Sequence, residues 1–291
     1  MFFYMMRSKL SVAIVTILLS LPLLFYGRLH FLRSPHTDLS RSLFPGIVYR
    51  REASWQPCSV MMHIVTIDLQ TAGLKLLVTP KTPNNSQTTS AFVRKFKMKL
   101  AINASYFVPF HEHTPWDYYP RTGDPSAPIG EAISNGDRYA SPLKEWPVLC
   151  ILPGNIAKII DSGTCPQGTI NGVAGRELLV SNGKPTDRKL LAHEDKPYPR
   201  AAVGIDRAGE KLWLIIIDGK QPLYSEGVTK VELSQIFVKL GVDKAINLDG
   251  GGSTTLVVDT GNGATVLNAP IHAKLPMNER PVANQIGFYV P

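Results

Sequence analysis

The first feature of the chain is an unbroken apolar block. Leu10 to Tyr26 carries almost no polar side chain, follows a short basic start with Arg7 and Lys9, and runs into Gly27-Arg28. At ~1.5 Å of rise per residue, such a block is just long enough to cross the hydrocarbon core of a bilayer. Two readings are open, a cleaved signal peptide and an uncleaved signal anchor. The residues Phe25-Tyr26-Gly27-Arg28-Leu29 are too bulky for a small-x-small cleavage site, which favours an anchor with the bulk of the chain outside the cytoplasm. The basic residues that follow oppose that orientation under the positive-inside rule. Residues 1–26 are therefore expected to be the anchor or signal peptide. Residues 27–58, mixed, basic and weakly patterned, are expected to be a tether.

From residue 59 the apolar positions change period. Val60–Leu69 and Leu74–Val78 read as strands of one hairpin, turning at Thr71-Ala72-Gly73. Thr89–Lys99 has the spacing of a short amphipathic helix. Over Leu100–Phe107 a strand delivers Asn103 and then two aromatics at its end, and Val108–Pro147 is a long loop rich in Pro, Gly, Tyr and His. Arg200–Asp206 and Lys211–Ile217 are strands around a turn at 207–210. Lys230–Leu240 places Val231, Leu233, Ile236, Phe237 and Leu240 at helical spacing, with Thr229 and Glu232 forming a capping box and Gly241 as the stop. Glu232 is thereby read as structural. Arg280–Tyr289 is the last strand. With 23 Gly and 23 Pro spread along the chain, a strand-rich, loop-rich domain over 59–291 is expected rather than a helical bundle.

The net charge of +8 suits an anionic partner: a phosphodiester, an anionic glycan or a membrane surface. No dense Lys/Arg helix or reader motif accompanies it, so nucleic acid is excluded as a partner. Of the three cysteines, Cys150 and Cys165 flank a hairpin turning at Pro153-Gly154-Asn155. They read either as a bridge formed in an oxidising compartment or as two small apolar residues. Cys58 is left unpaired or competes with them. His63, among apolar neighbours, reads as a core or surface residue. His111-Glu112-His113 lacks a defined third ligand and carries no metal assignment. The aromatics of that loop suit a sugar-binding rim.

Chemistry concentrates at strand ends. Ala245–Leu248 delivers Asp249 to Gly250-Gly251-Gly252-Ser253, and Thr254–Val258 returns as a strand. No Gly-Lys-Ser/Thr follows the glycines and no helix opens after them, so this is not a P-loop. A second strand ends at Asn103, with Tyr106 just beyond it, and a third at Asp218-Gly219-Lys220. Asn103 can both donate to and accept from sugar hydroxyls. Arg200 opens its strand with a planar guanidinium that can grip a phosphodiester through two bonds.

Asn247-Leu248-Asp249-Gly250-Gly251-Gly252-Ser253-Thr254-Thr255 resembles the signature of the phosphodiester glycosidase family. The resemblance continues in family order at Asn103, Arg200–Gly204, Asp218-Gly219, Thr229–Glu232 and Arg280–Gly287, and so spans Val60–Val290. Ala104 and Ser105 stand where the family carries glycines. The resemblance implies an α+β fold, with a mixed, mainly antiparallel sheet system and a few packed helices. It implies a hydrolase cleaving the glycosidic bond of a sugar linked through a phosphodiester.

Ordinary glycosidases need an acid to protonate the leaving oxygen. A phosphate ester is already a weak base, so cations at the phosphate and one carboxylate at the anomeric carbon are the larger needs. The expected catalytic residues are Asp249, Asp218 and Arg200. The expected substrate-binding residues are Asn103, Tyr106, Gly250, Gly251, Gly252, Ser253 and Arg280. No cofactor is required, although Asp218 and Asp249 offer oxygen ligands of the kind a divalent cation takes. The alternative is a membrane-tethered polysaccharide-binding or assembly factor without catalysis, kept open by Ala104 and Ser105.

Overall fold

A computed structural model describes residues 2–82, 86–187 and 195–291, with side chains from residue 14 onward. The apolar block forms one helix, α1 (Phe2–Phe31). Its stretch Ile14–Phe31 is long and apolar enough to cross a membrane and is not buried in the protein. Residues 27–58 are not a tether throughout. They carry the end of α1 and the strands Leu39–Phe44 and Ile47–Ser54. Ile47–Ser54 pairs along its length with Val60–Asp68. It buries Ile47, Tyr49 and Arg51 while Val48 and Arg50 face out. That two-residue period is present in the sequence, obscured by basic residues at both faces.

The domain is built on three larger sheets, and every strand ladder is antiparallel. The eight-stranded sheet runs in the order Leu39–Phe44, Ile47–Ser54, Val60–Asp68, Lys211–Ile217, Arg200–Ile205, Lys244–Asn247, Glu177–Ser181, Lys184–Pro185. A five-stranded sheet runs Ala264–Val266, Leu256–Asp259, Leu100–Asn103, Gln285–Tyr289, Lys75–Val78. The third, also five-stranded, contains Val148–Leu152 and Ile156–Ile160.

Successive side chains of a strand point to opposite faces, and the two faces of the eight-stranded sheet meet different partners. Val65, Ile67, Leu212, Leu214 and Ile216 face the five-stranded sheet with Val78, Ile102, Leu256 and Phe288. Ile64, Trp213, Ile215 and Ile217 face the other way, against Leu233 and Phe237 of helix Lys230–Lys239. Covered on both faces, Leu212–Ile217 reads as a continuous apolar run. Helix Thr89–Phe96 covers the outer face of the five-stranded sheet through Phe92 and Val93 against Ala101 and Val257. The order of layers is helix, sheet, sheet, helix. The capping box forms as the sequence dictates: Glu232 accepts from the Thr229 backbone at 2.8 Å and the Glu232 amide donates to Thr229 Oγ1 at 3.1 Å.

The expected hairpin over Ser59–Pro80 does not form. Val60–Asp68 stays in the eight-stranded sheet, whereas Lys75–Val78 pairs with Gln285–Tyr289 in the other. Both strands are apolar on the face they turn to the shared core. Facing sheets bury those faces, whereas a two-stranded ribbon leaves them in water. The glycine turn makes the same crossing. Lys244–Asn247 lies in the eight-stranded sheet and Leu256–Asp259 in the five-stranded one.

Cys150 and Cys165 are joined by a disulfide across 15 residues of chain. It ties strand Val148–Leu152 to the segment beyond its hairpin partner Ile156–Ile160. Cys58 is free. Replacing both bridged cysteines by serine is expected to lower the unfolding free energy by ~3 kcal/mol, as closure of a loop of this length predicts. Urea denaturation of oxidised and double-variant protein measures it, and coincident midpoints would refute the estimate.

Candidate active site

One side chain holds both ends of the glycine turn as it crosses from one sheet to the other. Asn103, at the end of its strand and fully buried, donates from Nδ2 to the Asp249 carbonyl at 2.6 Å and accepts at Oδ1 from the Thr255 amide at 3.0 Å. Its amide is spent on backbone and faces no cavity, so the structure places Asn103 behind the site instead of on its wall. Within the turn, Gly251–Ser253 forms one 3-10 turn, and only Gly251 has a positive φ, at +63°. Gly250 and Gly252 are required by crowding. A Cβ at Gly250 would lie 2.5 Å from the Pro199 carbonyl oxygen, and one at Gly252 would collide with the Arg280 guanidinium. The Gly251 amide is committed to the Pro199 carbonyl at 2.9 Å.

In front of this turn lies a cavity of about 430 Å³, within the range that small ligands fill. Its walls are Tyr106, Phe107, Phe110, Glu112, Tyr198, Arg200, Lys220, Asp249, Gly250 and Arg280. Five of the expected residues therefore meet there: Asp249, Arg200, Arg280, Tyr106 and Gly250. Gly251, Gly252 and Ser253 are buried behind the wall.

Asp218 is also off the wall. It is 1% exposed, and its carboxylate accepts from Asn268 Nδ2 at 3.0 Å and the Ala269 amide at 2.8 Å. His63 Nε2 lies 3.1 Å from its other oxygen, and Tyr49 completes the cluster against His63 Nδ1 at 2.8 Å. A carboxylate this fully engaged braces strand ends. The Asp218–Asp249 pair considered for a divalent cation is not assembled at the cavity, and no group of three His, Cys, Asp or Glu converges for a metal among the described residues.

The cations are positioned by separate devices. Arg200 donates from Nε to the Val228 carbonyl at 3.1 Å, and from Nη2 to Asp195 at 3.1 Å and to the Lys196 carbonyl at 3.0 Å. Asp195 is itself fixed by the amides of Lys230 and Val231 at the start of their helix. Among the described residues Arg200 Nη1 has no protein partner. Lys220 donates to the Tyr198 hydroxyl at 2.9 Å, its ammonium 4.1 Å from the ring centroid. Arg280 donates to Ser253 Oγ at 3.1 Å and ion-pairs with Glu112, and its guanidinium stacks on Phe110 at 4.6 Å.

The two carboxylates of the cavity are driven apart. Burial raises Asp249 to about 6, against the pull of the Arg280 charge, the Ser253 hydroxyl and the Gly250 amide. Burial acts upward on Glu112 too, but hydrogen bonds from His272 and Arg280 and the Arg280 charge outweigh it and bring Glu112 to about 2. Two carboxyl groups in one cavity with separated protonation are the pattern of divided acid–base roles. Tyr106 is raised above its usual value by burial and then by the charges of Asp249 and Glu177. It stays neutral, accepting from Asn247 Nδ2 at 3.1 Å.

Glu112, Phe107, Phe110, Tyr198 and Lys220 were not among the expected site residues. Lys220 directly follows Asp218-Gly219, where the carboxylate drew the attention. Glu112 sits between two histidines, in a segment that reads as an incomplete metal set or as part of a sugar-binding rim. Tyr198 lies in a polar stretch that reads as exposed. Phe107 and Phe110 stand within four residues of Tyr106, the one nearby signal.

Residues 96–289 match the sequence profile of the phosphodiester glycosidase family. The SPbeta prophage-derived protein YomE of Bacillus subtilis is 24% identical over 221 residues, covering 65% of this chain and 33% of that protein. The chain thus spans about a third of the length of that relative. Among solved structures, a hypothetical protein from Synechocystis superposes with a TM-score of 0.65 at 15% identity, covering 89% of this chain and 64% of the other. The catalytic domain of zebrafish N-acetylglucosamine-1-phosphodiester alpha-N-acetylglucosaminidase, auto-inhibited by its pro-peptide, gives 0.59 at 18% identity, covering 89% and 85%. An exported protein of Burkholderia pseudomallei gives 0.57 at 14%, covering 80% and 74%. At such identities these structures establish the fold. The matched stretch contains every wall residue of the cavity and the Asn103 clamp behind it, and on that match this chain belongs to the phosphodiester glycosidase family.

Proposed function

We propose that the protein hydrolyses the glycosidic bond of a sugar whose anomeric oxygen carries a phosphodiester, on the outer side of a membrane that holds α1. The observation that carries this reading is one raised carboxylate, Asp249, sharing a cavity wall with Arg200, Lys220 and Arg280. The reaction breaks the bond from C1 to the phosphate oxygen, and the electron pair leaves with the phosphate. Three cations at that end stabilise the charge that develops there. Asp249, in its ionised form, acts on the anomeric carbon directly or through water. Glu112, ionised throughout the working range, holds Arg280. Tyr106, Phe107 and Phe110 offer aromatic faces to the sugar. The outward location is supported by α1 and by the Cys150–Cys165 disulfide, a bond kept in oxidising compartments.

Asp249→Asn is expected to lower kcat by roughly 10³-fold while a sugar-1-phosphodiester still binds. Turnover at the parental rate would remove Asp249 from the chemistry. Binding without turnover by the parental protein would make it a carbohydrate-binding factor instead. The pH–rate profile should show an acidic limb centred near 6, as Asp249 takes up its proton.

The same residue makes a stability prediction of definite sign. Its folded pKa lies above the ordinary value of 3.8, so between the two the folded state holds the proton that the unfolded state has lost. Stability therefore falls as pH rises from about 4 to 6 and stays low above. Asp249→Asn should be more stable than the parent at pH 8, on the order of 3 kcal/mol, with the gain vanishing below pH ~4. Thermal unfolding at both pH values tests it, and a gain independent of pH would overturn the assignment.

Lys220 is exposed and holds only Tyr198, so Lys220→Gln should fold normally. It is expected to lose about tenfold in kcat/KM on a phosphodiester substrate and little on a neutral aryl glycoside of the same sugar. Equal losses on both would deny Lys220 the phosphate.

A further inference from the structure

The end of α1 is fastened to the catalytic domain. Ser34 Oγ donates to the Leu267 carbonyl at 2.8 Å, Tyr224 donates to the Ser34 carbonyl at 3.1 Å, and Arg51 donates to the Thr37 carbonyl at 2.8 Å. Arg33 lies over the Tyr224 ring at 4.9 Å. A helix end held this way fixes which side of the domain faces a membrane that α1 enters.

That side carries two segments that also build the cavity. The first runs from Asp218 to Ser225. It places Lys220 on the cavity wall and, three residues on, Leu223 beside residues 30–36. Three residues of chain span at most ~11 Å, so Leu223 and the phosphate-facing wall are close neighbours. The second is the hairpin Ile271–His272 and Leu275–Pro276, which packs on α1 through its second strand. Its His272 lies 3.1 Å from Glu112 and 3.3 Å from Arg280 Nε.

Leu223 itself is anomalous. It is 90% exposed and has φ +65°, a backbone region that a leucine side chain disfavours. The turn that presents it is rigidly tied. Gln221 donates to the Ala269 carbonyl at 2.7 Å and Ser225 Oγ to the Asp218 carbonyl at 2.6 Å. An apolar side chain is thus held out into solvent in a strained conformation, with no packing return from this chain. Phe31, 90% exposed, lines the same recess as Leu223 together with Arg33, and the chain around it carries Leu32, 56% exposed, and the basic Arg28. Apolar tips ringed by basic residues at the end of a membrane helix match an anionic lipid surface.

We propose that the domain rests on the bilayer through Leu223, Phe31 and Leu32, so that its cavity takes a glycosyl phosphodiester whose aglycone is a membrane-embedded lipid alcohol. This rests on the glycosidase reading and on α1 lying in the membrane. The lipid chain stays in the bilayer, the phosphate meets Lys220 within ~11 Å of Leu223, and the sugar passes inward to Asp249. Hydrolysis leaves the lipid phosphate in the membrane and releases the free sugar.

The test uses full-length protein in nanodiscs containing anionic lipid, and two substrates with one sugar-1-phosphodiester head, one with a methyl and one with a long-chain alkyl aglycone. The long-chain substrate is expected to show at least tenfold higher kcat/KM. Leu223→Asp, a residue type that tolerates positive φ, should abolish that advantage and leave methyl-substrate turnover unchanged. Equal turnover of the two substrates, or a Leu223→Asp effect that is nil or the same on both, would overturn the proposal. Turnover of neither would remove the glycosidase reading, and this inference with it. A second measurement is independent of activity. An environment-sensitive fluorophore on Leu223→Cys, in a Cys58→Ser background, should be quenched by brominated lipids, and an unquenched probe would overturn the docking.

Discussion

One side-chain amide holds both ends of the turn that crosses between the two facing sheets. Asn103 holds the Asp249 carbonyl and the Thr255 amide at once, at the two ends of a turn that leaves one sheet and enters the other. Each bond contributes about 1 kcal/mol net, but an orphaned group at this depth would cost about 1–3 kcal/mol. The larger consequence is geometric. The turn lies outside the strand ladders, so the direction in which Asp249 leaves its strand is set by this clamp, by the bond from the Asp249 amide to the Ala104 carbonyl at 3.0 Å, and by the Gly251 bond to Pro199. Pro199 precedes Arg200, so the same bond sets the spacing between the carboxylate turn and the strand that opens with the guanidinium. The acid and the cation are fixed relative to each other through backbone, before any side chain chooses a rotamer.

Given that frame, the electrostatics follow from what each carboxylate is allowed to touch. Glu112 has a guanidinium and an imidazole within bonding reach and is held ionised. Asp249 has Arg280 as its main charged compensation, and burial prevails. Arg280 thus acts on both, bonded to Glu112 and to Ser253. Moving the guanidinium toward either carboxylate would change both protonation states. The glycine at 252 is what lets it approach from behind, since any Cβ there would occupy its place.

The legible part of this architecture was local. The capping box at Thr229 and Glu232, the buried strand Lys211–Ile217 and the apolar N-terminal helix each depend on a few neighbouring residues, and each was visible as pattern. Long-range partners were not. Val60–Asp68 and Lys75–Val78 look like a hairpin because sequence records the turn but not the competing sheet. Asn103 and Asp218 were marked as chemistry because polar residues at strand ends are chemistry or bracing. Only their partners, Thr255 for one and His63 with Asn268 for the other, separate the two uses. Glu112 and Lys220 reach the cavity from loops whose path no periodicity encodes.

The same distinction explains why a strained leucine carries weight where a strained asparagine would not. Asn135, Asn155 and Asn182 also have positive φ, and short polar side chains enter that region at small cost. Leu223 does so at the tip of a turn tied on both flanks, with its side chain in solvent. Packing within the chain gives no reason for a leucine there. Its neighbours in sequence do have reasons: Lys220 lines the cavity, Gln221 secures the Ala269 carbonyl, and Tyr224 fastens the segment after α1. The loop is tied inward at Gln221, Tyr224 and Ser225, while Pro222 and Leu223 face out, and nothing among the described residues packs on the leucine. The bilayer in which α1 is proposed to lie is the apolar phase that such a residue would meet.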